Sequence, residues 1–202
     1  MKIIVATHNG GKLAEIRRIL EERLGADAAD IELVSAGSLG LPDPVEDGVT
    51  FQENALIKAR DVAERTGCPA VADDSGLMVD ALDGAPGVHS ARYASDGHDF
   101  AANNRLLLRN LEGVANRRAR FRTVISLLVG DEEHLFEGVV EGRIVERESG
   151  AEGFGYDPLF VPDGCDRTFA EMSPDEKNAV SHRGNALRQL RAKLQEADGA
   201  NA

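Results

Sequence analysis

The sequence predicts an α/β protein, and three observations lead to that prediction. Residues 3–6 are all apolar, as in a strand buried on both faces, and a glycine-containing loop and a helical pattern follow them. Residues 31–34 form a second strand-like run, and a capping-box pattern at Thr50 then opens a helix that continues to about Arg65. A third apolar run begins at Ala70. This alternation of strands and helices is typical of a sheet that packs against helices.

Length and composition indicate a single domain over residues 1–202 with enough apolar residues, 42%, for a core. The formal net charge of -12 argues against general nucleic-acid binding, which requires a basic face. It does not exclude a small polyanion, provided that basic groups gather locally or a divalent cation assists. No signal peptide or membrane span is apparent, and Cys68 and Cys165 lie far apart in sequence. We therefore expect free thiols in a reducing cytoplasm.

The first strand leads into Thr7-His8-Asn9-Gly10-Gly11-Lys12 and then into a predicted helix. A helix start offers backbone N–H groups and the positive end of the helix dipole, which suits phosphate. Lys12 falls in the first turn, where a cation opposes the dipole unless an anion lies nearby. The loop is not a Walker loop, because its glycines are adjacent and no Gly-Lys-Ser/Thr triplet follows. The alternative interpretation is a plain strand-to-helix turn. The apolar stripe of the helix is Leu13, Ile16, Ile19, Leu20 and Leu24.

Two adjacent carboxylates, Asp73 and Asp74, follow the third strand, and Ser75 and Gly76 come next. We expect the strand to end here and to deliver these groups to one rim of the sheet, where α/β proteins bind ligands. Side chains alternate faces along an extended chain, so the two aspartates are expected to have different roles. The alternative is a simple polar turn.

An acidic loop over residues 37–48 contains Asp43, Glu46 and Asp47, any of which could supply a metal ligand. Most acidic loops are merely solvated. Residues 99–111 are predicted as a helix. Residues 120–129 and 135–140 are predicted as a hairpin that serves as scaffold.

Two segments in the C-terminal half carry further chemistry. In Gly153–Val161, glycines flank Phe154 and would let the backbone approach a flat ligand that stacks on the ring. The alternative is that Phe154 and Tyr156 are ordinary core aromatics. A capping box at Ser173 opens a helix that carries Lys177 and then the pair His182-Arg183, donors for an anion or for the carbonyl edge of a base. Its predicted apolar stripe is Val180, Leu187, Leu190 and Leu194.

Six segments in this order resemble the inosine triphosphate pyrophosphatase family, enzymes that act on non-canonical purine nucleoside triphosphates. The resemblance extends from end to end, and although each segment alone is weak, the six together are a strong match. They are Thr7-His8-Asn9-Gly10-Gly11-Lys12, Phe51-Gln52-Glu53-Asn54-Ala55, Ala72-Asp73-Asp74-Ser75-Gly76-Leu77, Gly87-Val88-His89-Ser90-Ala91-Arg92-Tyr93, Phe154-Gly155-Tyr156-Asp157-Pro158 and Ser181-His182-Arg183-Gly184.

The resemblance implies an elongated mixed β-sheet with helices on both faces, two lobes around a nucleotide cleft, and a homodimer. It implies Mg²⁺-dependent hydrolysis of ITP, dITP and XTP to the monophosphate and pyrophosphate. Asp74 matches the catalytic carboxylate, which orients or deprotonates the attacking water and lies at the metal. Glu46 is the expected second metal-side carboxylate, with Asp43 and Asp47 left open. The residues implied to bind the substrate are Thr7, His8, Asn9, Gly10, Gly11, Lys12, Ser75, Phe154, Gly155, Tyr156, Asp157, Lys177, His182 and Arg183.

The hydrogen-bonding groups of the purine bases agree with these roles. Hypoxanthine and xanthine present a 6-keto acceptor, whereas adenine presents a 6-amino donor. A buried donor from His182 or Arg183 that faced the amino group would go unpaired, at a cost on the order of 1–3 kcal/mol. Guanine also has a 6-keto group, so its exclusion must depend on the 2-position, for which the sequence names no residue.

Three other functions compete with this one. A haloacid-dehalogenase-like phosphatase needs a carboxylate-any-carboxylate spacing, which Asp73-Asp74 lacks. A nucleotide-sensing module without turnover is disfavoured by the presence of Asp74 together with Lys12. A septum-formation-type pyrophosphatase, which acts on pyrimidine or modified nucleotides, is disfavoured by His182-Arg183 and by residues 154–157.

Overall fold

The computed structural model describes residues 2–21 and 32–199, which form six strands and five longer helices. The strands are β1 Lys2–Val5, β2 Glu32–Ser35, β3 Ala70–Val79, β4 Arg118–Val129, β5 Glu132–Ile144 and β6 Phe160–Pro162. The helices are α1 Gly10–Glu21, α2 Phe51–Thr66, α3 Phe100–Asn110, α4 Pro174–Val180 and α5 His182–Gly199. Ile31 and Leu24, which the predicted second strand and first helix include, lie outside the described residues.

The six strands form one mixed sheet in the order β2-β1-β3-β4-β5-β6. β1 lies parallel to both β2 and β3, and Ile4 is the register partner of Val34 on one side and of Ala70 on the other. β6 runs antiparallel to β5. β4 and β5 are neighbours joined only by Gly130 and Asp131, which confirms the predicted hairpin. The predicted α/β class and the mixed sheet are therefore confirmed.

Helices cover both faces of the sheet around β1. Ile3 and Val5 belong to one buried cluster, which also contains the apolar residues of α1 and α5. Ile4 and Ala6 belong to another cluster, which contains Ala59 and other residues of α2. Successive side chains of a strand point to opposite faces, so the two clusters lie on opposite sides of the sheet. The prediction of helices on both faces is confirmed here.

The described residues divide into two compact units. The first unit contains the residues up to Asp74, then Thr123–Gly138, and then the residues from Arg183 onward. The second unit contains Ser75–Arg122 and Val139–His182. Each unit has its own apolar core. The nucleotide cleft implied by the family resemblance stays a prediction.

β3 does not end at the paired aspartates, as the sequence had led us to expect. It continues from Ala70 to Val79, so Asp73 and Asp74 lie in the middle of a central strand instead of at a rim. Both side chains are buried. A buried charge is tolerated when opposite charges neutralise it, and the structure supplies such charges to both aspartates. The strand can therefore continue through them.

The predicted C-terminal helix is in fact two helices. The capping box at Ser173 is confirmed, but α4 ends before Ser181, whose backbone is extended at φ -72 and ψ 158. Serine favours such positions beside a helix because its hydroxyl can bond to nearby backbone groups. Val180 is 38% exposed and does not belong to the apolar stripe, whereas the other three predicted stripe residues are buried. Lys177 and Arg183 consequently lie on different helices.

Two smaller expectations can be compared with the described chain. Cys68 and Cys165 are both free thiols, as predicted. Within residues 2–21 and 32–199, none of the helices combines the length and the hydropathy needed to cross a membrane.

Gly150→Ala should destabilise the second unit far more than Gly164→Ala. Both glycines have a positive φ, +86° at Gly150 and +79° at Gly164, so both substitutions carry the strain of a left-handed residue. A Cβ at Gly150 would lie 2.3 Å from the backbone carbonyl atoms of Ala170, whereas Gly164 has open space. We expect Gly150→Ala to lower the free energy of unfolding by at least about 2 kcal/mol more than its control in urea denaturation. Equal losses of unfolding free energy in the two variants would contradict the close approach of Gly150 to the Ala170 backbone.

Candidate active site

Asp73 is the buried centre of an ion-pair cluster in the first unit. Its Oδ1 lies 2.6 Å from the Nζ of Lys12, and its Oδ2 accepts hydrogen bonds from Arg183 Nε at 3.0 Å and Thr123 Oγ1 at 2.8 Å. Arg183 also pairs with Glu15 of α1. Burial alone would raise the pKa of Asp73, but Arg183 and Lys12 outweigh it and hold this pKa well below its usual value. Asp73 is therefore a charged carboxylate with a structural role.

The start of α1 presents Lys12 to this cluster. Asn9 caps the helix, because its Oδ1 accepts the backbone N–H of Lys12 at 3.0 Å, and Thr7 Oγ1 in turn accepts the N–H of Asn9 at 3.1 Å. Lys12 lies in the first turn, as predicted, and Asp73 is the anion that compensates its unfavourable position against the helix dipole.

His8 has a role that its predicted substrate contact did not anticipate. Its Nε2 lies 2.7 Å from the carbonyl oxygen of Leu41, and its Nδ1 pairs with Asp43. The ring also packs 3.1 Å from the position that a Cβ on Gly37 would occupy. His8 thus connects the glycine-containing loop to the acidic loop, and its ion pair with Asp43 is part of that connection.

Asp74, Lys58 and Glu46 form a second charged group in the first unit, which we call the Lys58 cluster. The Nζ of Lys58 donates to Asp74 Oδ1 at 2.8 Å and to Glu46 Oε2 at 3.1 Å. Glu46 is thus the acidic-loop residue that shares a cation with Asp74, whereas Asp43 pairs with His8 and Asp47 is exposed. This arrangement favours Glu46 among the three residues that the sequence left open.

The two carboxylates of the Lys58 cluster have opposite pKa shifts. Burial raises the pKa of Asp74 above its usual value, although Lys58 and Lys12 oppose that effect. Burial acts in the same direction on Glu46, but there Lys58 and Lys12 prevail and the pKa is lowered. The Oδ2 atom of Asp74 is buried and has no hydrogen-bond partner in the part of the chain that the structure describes. A buried carboxylate oxygen of this kind needs a proton, a water molecule or a cation.

Sequence reasoning missed Lys58. The residue lies on the buried stripe of α2 together with Ala55, Ala59 and Val62. A lysine in an apolar stripe is rarely buried unless it is paired, so its position was a signal that a carboxylate lies opposite.

The second unit contains the Phe154 cluster, which comprises Phe154, Asp157 and Lys177. Asp157 Oδ2 accepts the backbone N–H of Phe154 at 2.8 Å and pairs with Lys177 Nζ at 2.6 Å. The same Nζ lies 4.9 Å from the centre of the half-buried Phe154 ring. A Cβ on Gly153 would come within 2.1 Å of Asp157 Oδ2, so a glycine is required there. The structure thus brings together three of the predicted substrate residues.

Other predicted substrate residues are part of the packing. Tyr156 belongs to the core of the second unit and donates its hydroxyl to the Ser90 carbonyl oxygen at 2.9 Å, so its side chain is a core aromatic. His182 is buried and its ring stacks on Phe121 with 4.8 Å between ring centres. Arg183, 2% exposed, holds Asp73, a structural role that the sequence did not predict. The base contacts predicted for His182 and Arg183 stay predictions, as does the substrate contact of half-buried Ser75.

Metal-ligating residues are sparse in the described part of the chain, where three or more His, Cys, Asp or Glu side chains nowhere gather in metal-binding geometry. Asp74 and Glu46, which share the ammonium of Lys58, are two carboxylates that could hold a cation together. A two-carboxylate site suits Mg²⁺, which retains several waters and shares substrate phosphates, better than it suits a cation held only by protein.

The fold is α/β, and lysines beside a helix N-terminus form a setting that is typical of proteins that bind phosphate-bearing ligands. The model of the Ham1 family matches residues 3–193, and the chain belongs to this family. It is 51% identical, over an alignment 244 positions long, to a dITP/XTP pyrophosphatase of Bifidobacterium longum (strain NCC 2705). The alignment covers 94% of this chain and 96% of the relative.

Solved structures agree. A HAM1 protein from Coxiella burnetii is 42% identical with a TM-score of 0.86, and the match covers 97% of this chain and 99% of the other. A nucleoside-triphosphatase / dITP/XTP pyrophosphatase from Mycobacterium abscessus is 47% identical with a TM-score of 0.74, and the match covers 94% and 97% of the two chains.

Asp73→Asn and Asp74→Asn should differ in stability although the chemical change is the same. The lowered pKa of Asp73 means that its charge contributes stability at every pH above its unfolded value of about 3.8, and fully at pH 7. Removing it leaves Arg183 without its buried carboxylate, a loss of about 3–5 kcal/mol. Burial raises the pKa of Asp74, and in Asp74→Asn Lys58 keeps Glu46 as a carboxylate partner, so this substitution should cost less, about 1–2 kcal/mol.

The measurement is urea denaturation of both variants at pH 7. An Asp74→Asn variant that is as unstable as Asp73→Asn would contradict the division into a structural and a functional carboxylate.

Proposed function

We propose that this protein hydrolyses non-canonical purine nucleoside triphosphates, namely dITP, ITP and XTP, to the nucleoside monophosphate and pyrophosphate. The single observation that carries the proposal is the buried, unpartnered Oδ2 of Asp74 beside Lys58 and Glu46 within the described residues. Membership in the Ham1 family and the shared name dITP/XTP pyrophosphatase among its relatives supply the reaction and the substrate class.

The triphosphate is assigned to the first unit. Lys12 and Lys58 are the cations of the two charged groups there, and the start of α1 adds backbone N–H groups and the positive end of its dipole. Lys12 retains 18% of its side-chain exposure, so a phosphate can reach it without breaking its pair with Asp73. These cations gather positive charge locally on a protein whose net charge is -12.

Asp74 is the proposed general base. It takes a proton from a water molecule as the water oxygen bonds to the α-phosphorus, and the bond from that phosphorus to the pyrophosphate oxygen breaks. A base works best when its pKa approaches the operating pH, and burial moves the pKa of Asp74 in that direction. Ser75 need not act as a nucleophile, because phosphoryl transfer depends chiefly on positioning and charge neutralisation.

Asp74 and Glu46 would hold a Mg²⁺ ion, since both are carboxylates of one cluster and one of their oxygens is buried without a partner in the described chain. When bound, the metal would neutralise charge on the phosphate oxygens.

The purine base of the substrate is assigned to the Phe154 cluster of the second unit. The ring of Phe154 can stack on a purine, while Asp157 and Lys177 fix the loop that carries the ring. The homodimer and the cytoplasmic location implied by the family resemblance are part of the proposal.

Pyrophosphate release tests the proposed reaction. We expect wild-type protein to release pyrophosphate from ITP, dITP and XTP in the presence of Mg²⁺, with little from ATP, GTP or dTTP. Asp74→Asn should lower kcat by at least about 100-fold, because it removes the base and one metal-side charge without changing the volume. Asp47→Asn is the matched control, since Asp47 lies in the same acidic loop as Glu46 but is exposed.

Each alternative has its own outcome in the same assay. Release of orthophosphate would mean cleavage at the terminal phosphate and would refute the mechanism. A preference for dTTP or UTP would favour the septum-formation-type reaction, and binding of ITP without any product would favour a nucleotide-sensing module.

Phe154→Leu should raise KM for dITP and XTP by roughly tenfold or more, because stacking of an aromatic ring on a base contributes about 1–3 kcal/mol. Phe154→Tyr, which keeps the ring, should retain a KM close to that of the wild type. Steady-state kinetics of pyrophosphate release give both values, and kcat should change less than KM. Equal KM values for the two variants would remove Phe154 from base binding.

A further inference from the structure

Lys58 occupies the position that a cation shared by Asp74 and Glu46 would otherwise take. Its ammonium group contacts an oxygen of each carboxylate, at 2.8 Å and 3.1 Å, and the residue is only 7% exposed. A lysine ammonium is charged at neutral pH, and direct contact with two carboxylates favours that charged form. The ammonium is thus a fixed positive charge inside the candidate metal site.

The net charge of the surrounding groups determines how strongly the free protein attracts a metal ion. Asp74 and Glu46 contribute two negative charges, and Lys58 balances one of them by direct contact. Lys12 is engaged elsewhere, since its Nζ lies 2.6 Å from Asp73 Oδ1. The Lys58 cluster therefore carries one net negative charge, which attracts a divalent cation less strongly than two free carboxylates would. A triphosphate reverses this balance, because its oxygens bring negative charge and offer both lysines additional partners.

We propose that Lys58 is the resident counter-cation of Asp74 and Glu46, so that the free protein binds Mg²⁺ weakly and the metal enters together with the nucleotide. This inference rests on the proposed function and adds the order in which its components bind. Lys58 is a positioning residue in this scheme. It holds the two carboxylates in place before substrate arrives, and it disfavours the binding of a metal ion without substrate.

Metal binding in the absence of nucleotide tests the proposal. Mn²⁺ serves as the probe, and EPR spectroscopy of the unbound ion gives its affinity for the wild type, Lys58→Gln and Lys58→Met. Glutamine keeps N–H donors for both carboxylates, whereas methionine keeps only the chain length. We expect both variants to bind Mn²⁺ at least about tenfold more tightly than the wild type, a factor that corresponds to about 1.4 kcal/mol. We also expect Mn²⁺ to raise their melting temperatures more than that of the wild type.

Lys193→Met is the matched control. Lys193 is exposed on α5, and its substitution makes the same change in net charge, so the Mn²⁺ affinity should stay at the wild-type value. Equal or weaker binding by the Lys58 variants would show that Lys58 assembles the carboxylates without competing for their charge, which would overturn the proposal.

The wild-type protein also provides a test that needs no folded variant. Tight Mn²⁺ binding without nucleotide, at metal concentrations close to the protein concentration, would overturn the inference directly. Pyrophosphate release from dITP by the wild type reports separately on the proposed function. Absence of release together with tighter Mn²⁺ binding by the variants would refute the function and leave the counter-cation role in place.

Discussion

The arrangement of the first unit depends on the neutralisation of Asp73. A fully buried carboxylate is strongly destabilising unless opposite charges and hydrogen-bond donors surround it. Its partners come from three elements: Lys12 from α1, Thr123 from β4 and Arg183 from α5. Glu15 of α1 balances the remaining charge of Arg183. One carboxylate therefore fixes the starts of two helices against a central strand, and it fixes Lys12, the cation assigned to the triphosphate.

Because the partners of Asp73 fix its position and charge, the neighbouring Asp74 can have a different role. Successive side chains of β3 point to opposite faces, and the two faces give the aspartates different partners. Arg183 and Lys12 drive the pKa of Asp73 down, whereas burial drives the pKa of Asp74 up. Two identical side chains, adjacent in sequence, thus have opposite pKa shifts, which agrees with the proposed division into a structural anion and a general base. Pairs of titratable groups with opposed shifts are typical of acid–base sites.

The sequence predicted the features that depend on local patterns. The strand at residues 3–6, the capping boxes at Thr50 and Ser173 and the hairpin are all confirmed, since each depends on residues a few positions apart. The prediction that the third strand ends at its aspartates was wrong. The charges that allow β3 to continue come from Lys12 and Arg183, which are 61 and 110 positions away from Asp73. Lys58 was missed for the same reason. The sequence shows an isolated lysine, and only the fold shows which carboxylates it meets.

The cations of this site are all paired before substrate arrives, and that fact shapes what the site can recognise. A free polyanion meets lysines already engaged with carboxylates, and a free metal ion meets carboxylates already engaged with lysines. Neither ligand alone changes the charge balance favourably. A metal–nucleotide complex supplies a cation to the carboxylates and anionic oxygens to the lysines at the same time, so every group keeps an opposite charge nearby. Under the proposed function, the paired state of the free protein would favour the complete metal–nucleotide complex over either component, without requiring a basic surface on an acidic protein.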